Sequence, residues 1–181
     1  MEKKKSAIRE LLGWVVYLLI VVGVSFLIIT FVGQRTKVQG SSMETTLSDG
    51  DNLIVDKISY RFRDPKRFEI IVFPYQYKEN TYYIKRIIGL PGEKIQIKDG
   101  YVYINDELLE EEYGAEVMSQ AGIAAEPIEL GDDEYFVLGD NRNHSADSRD
   151  PSVGVLTRKQ LMGRAFLRIW PLESAGFISH E

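Results

Sequence analysis

The chain has 181 residues, with 27 acidic against 22 basic side chains, two histidines and no cysteine. The lack of cysteine excludes thiol nucleophiles, disulfide frameworks and thiolate metal sites, and His144 and His180 lack the helical spacing of a zinc protease. The first 33 residues carry a net charge of +2 and the remainder −7, a balance that disfavours nucleic-acid binding. We therefore expect no metal, no cofactor and no nucleic-acid partner.

The first predicted element is an uncharged segment of 22 residues, Leu11–Val32. A helix of this length spans roughly 33 Å, about the thickness of a bilayer core, which predicts a transmembrane helix. The alternative is a cleavable export signal, which has an apolar stretch of about 7–15 residues and ends in a small-x-small site. Phe31-Val32-Gly33 matches that site poorly, so we expect an uncleaved anchor.

The charges around this segment predict its orientation. A basic cluster before it consists of Lys3, Lys4, Lys5 and Arg9. Such clusters stay in the cytoplasm, although Arg35 and Lys37 on the far side weaken the asymmetry. We expect a cytoplasmic tail at 1–10, a single-pass transmembrane helix at 11–33, and an extracytoplasmic domain at 34–181. Membrane lipid is thus one expected partner, and we expect a monomer.

The remainder of the chain predicts a mainly β, antiparallel domain. Short runs rich in Val, Ile, Tyr and Phe are bounded by turn residues, which is typical of strands; they are Leu53–Val55, Ile70–Phe73, Tyr82–Ile84 and Tyr135–Leu138. Asp99-Gly100 between Ile95–Lys98 and Tyr101–Ile104 is a strong hairpin signal. The one helical prediction is a short piece at Leu156–Met162, with Thr157 as its N-cap.

An acidic run, Asp106–Glu116, holds six carboxylates and no basic residue. It suggests a site for a cationic ligand or, as we favour, a solvated loop. We predict that residues 106–131 form an insertion between strands.

Three clusters combine reactive side chains with turn residues. In the first, Gly40–Leu47, a serine hydroxyl could act as a nucleophile, with neighbouring backbone N–H groups stabilising an oxyanion; by itself such a Ser-rich turn is weak evidence. In the second, Tyr83–Gly92, Lys85 lies between apolar strand residues. If Lys85 points inward, burial lowers its pKa and makes it a general base; if it points to water, it is an ordinary strand lysine.

The third cluster, Leu138–Arg149, is a polar loop that follows an apolar strand and suggests a rigid supporting shell. A Ser-His-Asp site built on His144 is an alternative here. The adjacent Ser145 is badly placed to be its partner, so that arrangement would require the distant Ser42.

Together the three clusters resemble the ordered motifs of bacterial type I signal peptidases, which are Ser-Lys proteases. The motifs are Gly-x-Ser-Met-x-x-Thr-Leu at Gly40–Leu47, Tyr-Ile-Lys-Arg-x-x-Gly-Leu-Pro-Gly at Tyr83–Gly92, and Gly-Asp-Asn-Arg-x-x-Ser-x-Asp-Ser-Arg at Gly139–Arg149. Weaker similarity covers Leu11 to Pro171, and the short chain resembles Gram-positive members with a reduced accessory region. The resemblance implies an antiparallel β catalytic domain after the membrane helix.

The resemblance also implies roles by motif position. Ser42 is the nucleophile and supplies an oxyanion N–H, and Lys85 is the general base. Ser145 orients the lysine, while Asp147 and Arg149 form a bracing charge pair. Gly40 lacks the hydroxyl that would add a second oxyanion donor. The implied substrates are secretory preproteins cut after small-x-small signal-peptide sites; shallow pockets for those small residues match Val38, Met43, Leu47, Tyr83 and Ile84.

Two positions depart from the family pattern. Thr45 stands where proline usually follows Ser-Met-x, and Phe68-Glu69 stands where Gly-Asp usually precedes the apolar strand. The competing hypothesis is a catalytically silent assembly factor of the same fold, which only the Thr45 departure favours because Ser42 and Lys85 are both present. A self-cleaving repressor-type Ser-Lys protease would require a DNA-binding N-terminal domain where this chain has its apolar segment.

Overall fold

The computed structural model describes residues 2–31, 33–114 and 116–179, and within the N-terminal helix it describes the side chains of residues 10–26. That helix, α1, runs Glu2–Phe31, and all of its described side chains are exposed. Among the described residues, no helix combines the length and the apolar character that crossing a membrane requires. The predicted spanning segment Leu11–Val32 extends past the described side chains into residues 27–32.

Beyond α1 the described chain is built from short antiparallel strands, which confirms the prediction of a mainly β domain. They are β1 (Gly33–Lys37), β2 (Asn52–Asp56), β3 (Ile70–Pro74), β4 (Tyr82–Gly89), β5 (Lys94–Lys98), β6 (Tyr101–Ile104), β7 (Glu107–Leu108), β8 (Ile128–Glu129), β9 (Glu134–Leu138), β10 (Leu156–Thr157), β11 (Gly163–Trp170) and β12 (Gly176–Phe177). The main sheet has the order β1-β2-β11-β3-β4-β9-β10, with β12 paired to β11.

A second sheet has the order β7-β6-β5-β8. Its β5–β6 hairpin turns at Asp99-Gly100, as predicted, and both turn residues have positive φ, 52° and 81°. Two consecutive positive φ angles make the tight turn whose twist matches that of paired strands. The second sheet packs on the main one through a shared apolar cluster that includes Ile95, Val102 and Phe136.

The alternation of side chains along β3 explains how the cores are separated. Ile70 and Val72 enter one buried cluster, whereas Ile71 and Phe73 enter another, as the period of two along a strand requires. Each fully buried side chain of this kind stabilises the fold by roughly 1.5–3 kcal/mol. The cluster that contains Ile70 also contains Met43, Leu47 and Ile84, so the same core anchors the Ser42 turn and strand β4.

Two local predictions need correction. The predicted helix at Leu156–Met162 is strand β10 followed by one 3₁₀ turn, Arg158–Gln160, because pairing of Leu156 with Tyr135 places the start of this segment in the sheet. Thr157 does open the turn, and its N–H donates to Gln160 Oε1 at 2.7 Å. The acidic run is not simply a solvated loop, since it includes β7 and the carboxylate of Glu111 lies in a largely buried ion pair.

Candidate active site

The side chains of Ser42 and Lys85 meet beside the middle of strand β4. Nζ of Lys85 lies 2.7 Å from Oγ of Ser42 and 2.9 Å from the carbonyl oxygen of Ile84. Lys85 as a whole is only 3% exposed. Two side chains separated by 43 positions in the sequence are therefore in hydrogen-bond contact, with the amine withdrawn from water.

Burial changes the acid–base character of this lysine. It lowers the pKa of the Lys85 ammonium from its ordinary value of 10.5 to about 8, because an apolar environment disfavours the charged form. The negative charges of Asp147 and Asp140 oppose this decrease. A substantial neutral fraction thus exists near pH 8, and a neutral amine can accept a proton from a hydroxyl.

The turn that carries Ser42 is held by the core and by polar contacts. Met43 and Leu47 are buried on the core side, and the N–H of Leu47 donates to the carbonyl of Met43 at 2.8 Å. Gly40, with φ of +86°, donates its N–H to Asp49 Oδ1 at 2.8 Å. In the part of the chain that the structure describes, the N–H of Ser42 has no hydrogen-bond acceptor. It is therefore available to a ligand oxygen.

Residues 139–149, which we call the catalytic loop, pack directly against this turn. The N–H of Asn141 donates to the carbonyl of Ser42 at 3.1 Å, and its side-chain amide donates to the carbonyl of Ser41 at 3.1 Å. At Gly139, a Cβ atom would lie 2.2 Å from Oγ of Ser145 and 2.5 Å from the carbonyl oxygen of Ser42. Only glycine allows the loop to approach this closely.

Ser145 lies at that close approach. Its Oγ is buried, and among the described residues it has no hydrogen-bond partner. The structure therefore brings Ser145 against the Ser42 turn without joining it to Lys85 by a hydrogen bond. A buried hydroxyl without a partner costs about 1–3 kcal/mol, so Ser145 retains unused donor and acceptor capacity at the site.

Asp147 and Arg149 form a bidentate ion pair within the loop. Arg149 Nε and Nη2 lie 2.8 and 2.9 Å from the two carboxylate oxygens of Asp147. Asp147 also accepts the N–H of Gly139 at 3.0 Å. The pair thus fixes both ends of the loop around Ser145.

A second buried ion pair, which the sequence analysis missed, lies behind the lysine. Arg86, 0% exposed, donates to Asp140 from Nε at 2.8 Å and from Nη2 at 2.6 Å. Thr46 donates its hydroxyl to the same carboxylate at 2.6 Å. This network joins the Ser42 turn, strand β4 and the catalytic loop. An arginine next to Lys85 inside an apolar strand was the available sequence signal.

A cleft of about 490 Å³ opens beside Ser42 and Lys85. Its walls come from residues 36–43, 78 and 80–85 and from His144 and Ala146, and they include Val38, Met43, Tyr83 and Ile84. Leu47, the fifth predicted pocket residue, lies beneath in the core and does not line the cleft. In the described sheet, β9 pairs with β4 only from Arg86 onward, so on that side the first half of β4 is an unpaired edge.

The structure does not assemble the alternative site on His144. This exposed residue lines the cleft, but within the described chain its side chain has no hydrogen bond to Ser42 or to a carboxylate. Nor do the described residues contain a cluster of three histidine or acidic side chains suited to a metal ion. The arrangement can transfer a proton from the Ser42 hydroxyl to the Lys85 amine, next to a free backbone N–H.

Comparison with known proteins identifies the family. The model of the family described as signal peptidase, peptidase S26, matches residues 11–170. A probable signal peptidase I-2 of Synechocystis sp. is 43% identical over 157 residues, covering 84% of this chain and 70% of the relative. Signal peptidase I P of Bacillus subtilis subsp. natto is 35% identical over 179 residues, covering 95% and 96%. The chain belongs to the signal peptidase family, peptidase S26, and is a serine endopeptidase of that family.

Proposed function

We propose that the chain removes N-terminal signal peptides from exported preproteins by cutting after small-x-small sites, with Ser42 as nucleophile and Lys85 as general base. The observation that carries the proposal is the 2.7 Å contact between the buried Lys85 amine and the Ser42 hydroxyl beside the cleft. The names of the similar proteins, signal peptidase I and its variants, support the substrate class.

In the acylation step, neutral Lys85 takes the hydroxyl proton while Ser42 Oγ attacks the carbonyl carbon of the scissile bond. The resulting oxyanion accepts a hydrogen bond from the free N–H of Ser42. As the tetrahedral intermediate collapses, the Lys85 ammonium gives its proton to the leaving amine, which is the new N-terminus of the mature protein. Lys85 then activates a water molecule that hydrolyses the acyl-enzyme, and the hydroxyl of Ser42 is regenerated.

The remaining predicted residues support this pair. Ser145 has a buried hydroxyl with free capacity, which suits a residue that orients the lysine amine once substrate fills the cleft. Asp147 and Arg149 hold the loop that carries Ser145. Gly40 contributes no hydroxyl, so the oxyanion contact that we assign to the protein is the Ser42 N–H.

The cleft supports the proposed preference for small residues before the scissile bond. Val38, Met43, Tyr83 and Ile84 form its apolar walls, and Leu47 supports Met43 from the core. An extended substrate can pair with the free edge of β4. Larger side chains are excluded because the walls belong to a packed core that yields little.

A pair of peptides tests this function. We expect the detergent-solubilised chain to cleave a peptide with an Ala-x-Ala site directly after the second Ala, and to cleave the matching Ala-x-Phe peptide at least about 100-fold more slowly, because steric exclusion by several kcal/mol has that effect on rate. Mass spectrometry of the products locates the cut. Equal cleavage of both peptides, or a cut elsewhere, would contradict the proposal.

The rate of cleavage should depend on pH through Lys85. The lysine is active as a neutral amine, and its pKa is about 8, so kcat/KM should rise about tenfold per pH unit below pH 8 and level off above it. Initial rates from pH 5 to 9 with the Ala-x-Ala peptide measure this dependence. A flat profile over that range would exclude Lys85 as the base.

We also propose the membrane topology and domain boundaries that the sequence predicts. The supporting features are the 22 uncharged residues Leu11–Val32, the basic residues before them, and the exposed apolar side chains of Trp170, Leu172 and Phe177. On this proposal residues 1–10 are cytoplasmic, 11–33 cross the membrane in contact with lipid, and 34–181 form a monomeric extracytoplasmic domain with an accessory insertion at 106–131. Release of the protein from membranes by alkaline carbonate would contradict it.

A further inference from the structure

The part of the acidic run that follows β7 packs against the catalytic loop. Glu111 forms a bidentate ion pair with Arg142 of that loop, with its oxygens 2.6 and 2.7 Å from the two terminal guanidinium nitrogens. The side chains of Arg142 and Glu111 are only 3% and 12% exposed. A bidentate pair withdrawn from water restricts the geometry of both partners far more than a surface pair does.

Arg142 transmits this restraint through the loop. Its Nε donates to the carbonyl of Gly139 at 3.1 Å, and its own carbonyl accepts Nη2 of Arg149 at 2.5 Å. Gly139 is the residue that closely approaches both Ser145 and Ser42. Glu111 therefore lies one ion pair and one hydrogen bond away from the backbone that carries the active site.

Tyr113 makes a second contact from the same segment. The centroid of its ring lies 3.5 Å from the guanidinium carbon of Arg86. Arg86 is the buried residue that follows Lys85 and pairs with Asp140. A cation stacked on an aromatic ring out of water is stabilised by about 2 kcal/mol or more. The ring thus packs on Arg86, whose ion pair with Asp140 joins β4 to the catalytic loop.

Further along, Asn143 of the catalytic loop is held by a third set of contacts. Its side-chain amide donates to Glu116 Oε2 at 2.9 Å and to the carbonyl of Val117 at 3.1 Å, and its side-chain oxygen accepts the N–H of Ser119 at 2.8 Å. The approach of the two segments is close, since a Cβ at Gly114 would lie 3.1 Å from atoms of the Arg142 side chain.

We infer that residues 109–114 and 116–119, which we call the bracing segment, hold the catalytic loop in its active geometry, with Glu111 and Tyr113 as positioning residues for the Ser42–Lys85 pair. The inference rests on the proposed function and extends it to the segment that follows β7. Neither residue lines the cleft beside Ser42, so both act through Arg142 and Arg86. Their loss should slow the chemical step and leave substrate binding intact.

The test compares three isosteric substitutions in the full-length chain. Glu111→Gln removes the charge that faces Arg142, whereas Glu110→Gln and Glu112→Gln remove charges that have no partner among the described residues. We expect Glu111→Gln to lower kcat at least about tenfold with KM within a factor of two, because small displacements of reacting groups have large effects on rate. The two controls should match the wild type.

Tyr113→Phe and Tyr113→Leu form the second arm, because both lack the hydroxyl and only one keeps the ring. We expect Tyr113→Phe to retain most of the activity that Tyr113→Leu loses. Hydrogen exchange at the backbone amides of Asn141, Ser148 and Arg149 should be faster in Glu111→Gln and Tyr113→Leu than in the controls. This readout is independent of cleavage.

The outcomes separate this inference from the proposed function. Equal kcat in Glu111→Gln, Glu110→Gln and Glu112→Gln would overturn the inference. It would also be overturned if the loss of activity in Glu111→Gln were fully explained by a smaller fraction of folded protein, measured by circular dichroism. Either result leaves the proposed function intact if the wild type cleaves and Ser42→Ala does not. If the wild type does not cleave, the proposed function fails, and unchanged hydrogen exchange in the loop would overturn the bracing role separately.

Discussion

Lys85→Met abolishes cleavage and at the same time stabilises the folded chain at pH 7; this is the result that we expect from the buried amine. Methionine has a similar length and fits the apolar surroundings, but it cannot accept the proton of Ser42. Removal of a residue that activates a nucleophile lowers kcat by about 10⁴-fold or more. Single-turnover cleavage of the Ala-x-Ala peptide measures the loss.

The expected gain in stability follows from the pKa of Lys85. The unfolded lysine titrates near 10.5 and the folded one near 8, so below pH 8 the ammonium is charged in both states and the full cost of burying it, about 3 kcal/mol, opposes folding. That cost decreases as pH rises from 8 to 10.5, because the folded state loses its proton first. The variant should therefore exceed the wild type in free energy of unfolding at pH 7, and the difference should shrink towards pH 10.

Urea unfolding at pH 7 and at pH 9.5 measures both values. Lys159→Met, which changes an exposed lysine, serves as the control and should leave activity and stability near those of the wild type. Retained cleavage by Lys85→Met would exclude the lysine from the mechanism. A difference in stability that does not change with pH would show that the folded lysine titrates as it does in water.

Ser42→Ala should also abolish cleavage, while the variant still binds the peptide. The substitution removes the attacking oxygen and leaves the backbone N–H, the cleft and the lysine in place. We expect kcat to fall by about 10⁴-fold or more, with the peptide dissociation constant within a few-fold of the wild-type KM. Mass spectrometry of the reaction and fluorescence polarisation of a labelled peptide give the two values.

Ser48→Ala is the matched control, because Ser48 is a nearby exposed serine that does not line the cleft. It should retain activity. Full activity in Ser42→Ala, or an equal loss of cleavage in Ser48→Ala, would contradict Ser42 as the nucleophile. A catalytically silent assembly factor would show no cleavage by the wild type, and neither the family match nor the similar proteins favour that hypothesis.

Several elements were predictable because their signals are local. The β5–β6 hairpin follows from Asp99-Gly100 between alternating strands, and β3 follows from a short apolar run bounded by turn residues. The segment after Leu156 shows the limit of such signals. Thr157 suits the N-cap of a helix, but pairing of Leu156 with Tyr135 draws the first residues of the segment into the sheet.

The networks around the site were not predictable in the same way. The sequence places Arg86 next to Lys85 and Asp140 next to Gly139, but nothing local shows that Arg86 and Asp140 pair across 54 positions. The acidic run likewise looks solvated by composition, since six carboxylates with no basic neighbour usually face water. In the structure, Glu111 is largely buried and pairs with Arg142, which lies 31 positions away in the sequence.

The sequence by itself determined which residues are reactive, in which order they occur, and where strands and turns form, because these properties depend on residue type and on neighbours within a few positions. The tertiary structure alone decided that Lys85 reaches Ser42 and has a pKa of about 8. It also decided that Leu47 lies in the core beneath the cleft and that Glu111 of the acidic run pairs with Arg142 of the catalytic loop. The physical reason is that desolvation and ion pairing depend on all the atoms that surround a group, and those atoms come from distant parts of the chain.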